Sequence, residues 1–206
     1  VCSPTRAAAM TGMYPGRLHV TDFITGGNYP KAKLRIPDWT QRLEHRHVSL
    51  AEVFQQAKYR TIHIGKWHLM PRGTPEMNDY LPQRHGFDVN IGGNQWGAPG
   101  SYFFPYASRR REIGVLPPGG KKGDYLTDRL TDEALKQLEA NQEKPFLLYF
   151  PYYNVHTPLQ GKTELVAHYQ AQVRPTMKHQ HAVYASMIHS VDESVGRIVR
   201  KLESLK

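Results

Sequence analysis

The chain has 206 residues, 39% hydrophobic and 22% charged, a globular composition with length enough for one domain and its core. Net charge is +9, from 27 basic against 18 acidic residues. This favours anionic partners, but no zinc-finger spacing or RNA-binding aromatic signature accompanies it, so nucleic acid is not expected. No apolar run is long enough for a membrane span, and the single cysteine, Cys2, excludes an intrachain disulfide and a multi-cysteine metal site.

The chain opens at Val1-Cys2, without the basic start and apolar stretch of an export signal. Residues 4 to 11 read as a short helix: Pro4 suits its first turn, Ala7-Ala8-Ala9-Met10 favours helix and Gly12 ends it. Cys2 is thereby placed at a helix start, where free backbone donors and the dipole favour an anion. Residues 13 to 47 read as irregular. A helix follows, with Ser49 as N-cap, Glu52 completing a capping box, and Leu50, Val53, Phe54 and Ala57 as its apolar face.

Tyr59 to Ile64 reads as a strand that runs into Gly65-Lys66-Trp67-His68, and ligands bind at such strand ends in open α/β sheets. Residues 71 to 123 read as a long loop region rich in Gly, Pro and aromatics, including Trp96, Tyr102, Phe103, Phe104 and Tyr106. Asp124 to Asn141 reads as a helix with Leu126, Leu130, Ala134, Leu135 and Leu138 in phase. Pro145 to Phe150 reads as a buried strand leading into Tyr153-Asn154-Val155-His156-Thr157-Pro158. A long helix, about His181 to Leu205, carries Ile188, Val191, Val195, Ile198 and Leu202 on one side.

This order predicts an α/β fold with a mainly parallel sheet between helices. Two legible strands are too few to cover three helices, so the fold is expected to be incomplete within residues 1–206.

Cys2-x-Pro4-x-Arg6 with Thr11-Gly12 resembles the signature of the formylglycine-dependent sulfatases, members of the alkaline phosphatase superfamily. Met10 and Met13 depart from the Leu and Arg that the family often shows there. Gly65-Lys66-Trp67-His68-Leu69 looks like the family's second block, and His156-Thr157-Pro158-Leu159 like its third, in matching order and separation. Ser49-Leu50-Ala51-Glu52-Val53, His85-Gly86-Phe87-Asp88 and Tyr125-Leu126-Thr127-Asp128 resemble its connecting segments.

The resemblance implies hydrolysis of sulfate esters, and the basic charge with the aromatic loop at 92 to 106 makes a sulfated carbohydrate the expected substrate. In the family the Cys is oxidised to formylglycine by a formylglycine-generating or an anaerobic sulfatase-maturating enzyme. Cys2 would then be nucleophile and one metal ligand. Arg6, one helical turn on, would reach back to the diol. Lys66 would hold a sulfate oxygen, His68 would take a proton from the diol, and His156 would bind the ester and protonate the leaving oxygen. His45, His47, His63 and His189 are expected to be surface or packing residues.

The family's Ca²⁺ (or Mg²⁺) takes further acidic ligands from before the Cys motif and after the last helix, which this sequence lacks. Residues 1–206 are therefore expected to be part of a sulfatase catalytic domain, neither binding metal tightly nor turning over substrate alone. Bacterial relatives are commonly exported, which implies a periplasmic or secreted protein. Two other readings stand beside this one: a phosphonate or phosphodiester hydrolase with the same motif, and an inactive binder of anionic glycans. A redox or thiol-protease role has no second Cys or signature to support it.

Overall fold

A computed structural model describes residues 1–27 and 29–205. Its centre is β1 (Arg60–Ile64), flanked in parallel by β2 (Val89–Ile91) and β3 (Phe146–Tyr149), in the order β2-β1-β3. Ile62 pairs with Val89 on one side and with Leu148 on the other. Apart from Arg60, β1 is buried along its length, as a central parallel strand covered on both faces must be.

Alternation along β1 sends Ile62 and Ile64 to one side and Thr61 and His63 to the other. Ile62, Ile64 and Ile91 join Leu126, Leu130, Ala134 and Met187 in one apolar cluster, which brings in α4 (Leu126–Ala140) and α6 (Ala182–Ser204). Against the opposite side lie Ala7, Met10, Ala51, Trp67 and Phe87, with α1 (Cys2–Thr11), α2 (Pro15–Leu18) and α3 (Leu50–Gln56). Helices thus cover both faces of the sheet. A further helix, α5 (Thr163–Gln170), packs on α6.

α1 ends where Gly12 takes a left-handed φ of 69°, a conformation that glycine adopts at no steric cost. α3 has both bonds of its capping box: Glu52 N–H donates to Ser49 Oγ (3.1 Å) and Ser49 N–H to Glu52 Oε2 (2.7 Å).

Three expectations change. The face of α3 that packs is carried by Ala51, whereas Leu50 and Val53 are exposed. The side of α6 that packs carries Ser186, Met187, Ser190 and Ser194, and the stripe through Ile188, Val195 and Leu202 is exposed. Small side chains let the helix approach closely, and Ser194 Oγ bonds both the Thr131 and Tyr152 hydroxyls. Finally, residues 71–123 hold β2 and two 3₁₀ turns, Pro75–Tyr80 and Pro82–His85. β2 is three residues long, too short for periodicity to show.

Candidate active site

The loops after β1, β2 and β3 leave the sheet at its carboxyl edge, side by side, and α1 begins beside them. Gly65 follows β1 with φ of 110°, and a Cβ there would run into the Pro151 carbonyl. Its absence lets the strand ends touch: Lys66 N–H donates to Pro151 O (2.9 Å) and Gly65 N–H to Ile91 O (2.8 Å). Lys66 is only 7% exposed.

His68 sits at a left-handed φ of 56°, an unfavourable conformation for a residue with a Cβ. Three contacts hold it there. Its N–H donates to Asn94 O (3.0 Å), its carbonyl accepts from Ser3 Oγ (2.9 Å), and its ring Nε2 bonds the Ile24 carbonyl. A carbonyl only accepts, so Nε2 carries the hydrogen, and Nδ1 is left buried without a partner. The ring lies against Gly97, where a Cβ would fall within 2.9 Å of Nε2 and nearer still to Nδ1.

Arg6 Nε donates to Trp67 O (2.5 Å), and Nη2 to Lys66 O. These bonds clamp the loop that presents Lys66 and His68 to the helix that carries Cys2. Ser3, fully buried, adds a second tie, since its Oγ also accepts from Ile24 N–H (3.1 Å).

His156 arrives from β3. Its Nδ1 donates to Thr157 O (2.9 Å), which leaves Nε2 for the site. Its loop is anchored through Tyr153, whose hydroxyl donates to Gly92 O (2.8 Å) and whose carbonyl accepts from Tyr102 Oη (2.7 Å).

Cys2, half-buried in the first turn of α1, meets all three side chains. The neighbouring His156 first, then His68, with the Lys66 charge added, pulls its thiol from 9.0 down to about 4, against burial that works to raise it. His156 is raised in return, chiefly by Cys2. Lys66 is lowered by burial, with the Cys2 anion opposing. Position 2 is therefore built to hold negative charge.

A cavity of about 290 Å³ opens over Cys2, His68 and His156 and extends to Arg72, Trp96 and Arg111. Cys2, Lys66, His68 and His156 thus come together as the sequence predicts, with Arg6 directly behind them. Ser3, Gly97, Arg72, Trp96 and Arg111 were not anticipated as site residues; Trp96 was noted only as part of an aromatic loop, and Arg111 only as part of the basic run Arg109-Arg110-Arg111. His63, expected to be a surface or packing residue, is fully buried between Trp67 and Phe87, and burial pushes it down to about 3.

Among the described residues no three His, Cys, Asp or Glu side chains converge as a metal site. Ca²⁺ takes roughly six to eight oxygen ligands. Cys2 offers one atom, so the residues present do not by themselves fit the ion. No helix of the described residues is long and apolar enough to cross a membrane.

The architecture is alkaline-phosphatase-like α/β: helices on both faces of a parallel sheet, with an anion-holding centre at its carboxyl edge. The crystal structure of phosphonate monoester hydrolase from Agrobacterium radiobacter has a similar fold, with a TM-score of 0.59 and 17% identity over 100% of this chain and 50% of that one.

The Sulfatase family model matches residues 1–206, and the chain belongs to the sulfatase family. It is 29% identical to an arylsulfatase of Hemicentrotus pulcherrimus over 98% of this chain and 35% of that protein. It is 30% identical to an N-acetylgalactosamine-6-sulfatase of Sus scrofa over 100% of this chain and 38% of that protein. The crystal structure of Ps i-CgsB matches with a TM-score of 0.69 and 26% identity, over 99% of this chain and 45% of that one. The chain therefore spans less than half the length of these relatives.

Proposed function

We propose that residues 1–206 are part of a sulfatase catalytic domain that hydrolyses sulfate esters through a formylglycine made from Cys2. The observation that carries this reading is the convergence of Lys66, His68 and His156 on Cys2, with the thiol held at about 4. A centre that stabilises a thiolate suits a diolate and a sulfate ester for the same electrostatic reason.

The thiol stands where the hydrated aldehyde of formylglycine would be. One diol hydroxyl, its proton already released to solvent, attacks sulfur, the ester S–O bond breaks, and the leaving oxygen takes a proton from His156, which regains one from solvent. The enzyme is left as a sulfate hemiester. His68, through the nitrogen that no other group holds, removes the proton of the second hydroxyl; the C=O bond re-forms and the C–O bond to sulfate breaks. Water rehydrates the aldehyde, so the sum is ester plus water giving alcohol plus hydrogen sulfate. Lys66 offsets charge on the sulfate oxygens. Arg6 positions the loop from which Lys66 and His68 project, and its charge lies close to the diol.

The reading includes Ca²⁺ or Mg²⁺, held by an oxygen of the oxidised Cys2 together with acidic ligands from outside residues 1–206. It includes oxidation of Cys2 by a formylglycine-generating or anaerobic sulfatase-maturating enzyme, and export to the periplasm or medium. A sulfated carbohydrate is the substrate class that the relatives favour, since one of them is named for N-acetylgalactosamine 6-sulfate.

Peptide mass spectrometry across Cys2 tests the core of the proposal. Formylglycine lowers the mass by about eighteen daltons relative to cysteine. An unmodified thiol in every molecule of the native protein would overturn it. Rates on an aryl sulfate and on a phosphodiester then separate sulfatase from phosphohydrolase, because the two tetrahedral esters differ in charge more than in shape.

A further inference from the structure

The cavity over Cys2 does not end at the reacting centre. Gln95, Trp96 and Arg111 line it and also line a second hollow of about 470 Å³, so the two hollows share a wall. The far wall of the second hollow is a turn that carries Arg109, Arg110 and Arg111. Backbone bonds order this turn: Ser108 N–H donates to Arg111 O (2.7 Å), and Ala107 bridges Glu112 antiparallel. Where the hollows meet, the Arg72 guanidinium lies 4.2 Å over the Trp96 ring.

Elsewhere in the chain, Arg42, Arg60, Arg129 and Arg197 pair with carboxylates. Arg17, Arg35, Arg46, Arg84, Arg174 and Arg200, each without such a partner among the described residues, line neither hollow. Among the described residues, Arg72, Arg109, Arg110 and Arg111 are in no ion pair. One carboxylate, Glu112, lines the second hollow. Four guanidinium groups therefore face one carboxylate along a path that leads away from Cys2. Guanidinium binds sulfate and carboxylate through paired N–H donors, and stacking on Trp96 holds one such fork in a fixed plane.

We infer that the hollow walled by Arg109–Arg111 and the Arg72–Trp96 pair is a subsite for a second anionic group of the substrate. The substrate is then a saccharide bearing a sulfate or carboxylate on the unit next to the ester being cleaved. This rests on the sulfate-ester reading above and adds to it a preference for polyanionic chains.

The test uses the complete enzyme, oxidised at Cys2, with three substrates: 4-nitrophenyl sulfate, a disaccharide with one sulfate, and its counterpart with two. The wild type should show a lower KM for the doubly sulfated disaccharide, and added NaCl should raise that KM more steeply than the KM for the aryl sulfate. The R109A/R110A variant should shrink the KM preference for two sulfates over one by about tenfold. R109K/R110K should restore part of it, which a purely structural role for the turn would not produce.

Equal salt dependence for all three substrates, or an unchanged preference in R109A/R110A, would overturn the subsite while leaving the sulfatase reading intact. Failure of the wild type to cleave any of the three would instead remove the reading on which it rests.

Discussion

Cys2 is charged at neutral pH because of what surrounds it. Its thiol lies far below 9.0, so the anion persists down to about 4. In protein left unoxidised at this position, alkylation by iodoacetamide should stay level from about pH 9 to about pH 6, then fall by half near pH 4, whereas an ordinary thiol loses reactivity below about 8.5. The plateau should be low, since nucleophilicity falls with thiol pKa. His156→Gln removes the largest stabilising influence and should move the midpoint upward by a unit or more. A midpoint near 8 in the parent protein would contradict the geometry.

Gly97 makes a second prediction. Gly97→Ala brings a methyl group onto the His68 ring, at a cost of about 1–3 kcal/mol when a packed site cannot give way. In the complete enzyme kcat on an aryl sulfate should drop at least about tenfold, with KM changed less, because on the proposed mechanism the nitrogen that accepts the proton moves while Lys66, which would hold the sulfate, does not. Equal kcat for parent and variant would count against His68 as the base.

Cys2, Arg6, Lys66, His68 and His156 were legible because each sits in a short motif at a helix start or a strand end. Gly97 and Ser3 were not, since they act through single contacts with His68 across 29 and 65 positions of chain, which no local spacing records.

At the scale of elements, α6 is the instructive case. Its sequence shows an apolar stripe at helical spacing, which reads as the buried side. The structure turns Ile188, Val195 and Leu202 outward, keeps Ile198 against the core, and buries Ser186, Ser190 and Ser194 on the packed side. Periodicity reveals that a helix has an apolar face; it does not reveal which partner that face has.

The reversal is measurable. Ser190 is fully buried, so Ser190→Leu should overfill the contact and cost about 1–3 kcal/mol in denaturant unfolding. Val195, 46% exposed, should tolerate Val195→Thr within about 0.5 kcal/mol. The opposite ranking would restore the sequence-based assignment. The capping box of α3 and the core positions of α4 were read correctly, since both are local patterns; β2 escaped because three residues make no pattern.

Over the whole molecule, two apolar clusters grip the sheet from its two faces, and one apolar surface remains outside both. Tyr184, Ile188, Val195, Val199 and Leu202, each at least 40% exposed, run along α6. A contiguous apolar strip of this kind promotes association. Residues 1–206 prepared alone should therefore self-associate in light scattering at tens of micromolar concentration, roughly the range in which exposed apolar surface drives assembly. I188K/V195K should reduce that association without lowering the unfolding midpoint. Monodisperse monomer for the parent chain would count against the prediction.

The ladder between β1 and β3 also acts as a ruler. Thr61 lies opposite Leu147, and this pairing sets how far His68, which follows one strand, stands from His156, which follows the other. A slip of one residue would slide the two imidazoles apart by about 3.3 Å and turn every side chain of the slipped strand to the wrong face. The spacing of the two imidazoles is thus counted out in peptide units, and on the proposed mechanism a misaligned sheet would lose its chemistry along with its packing.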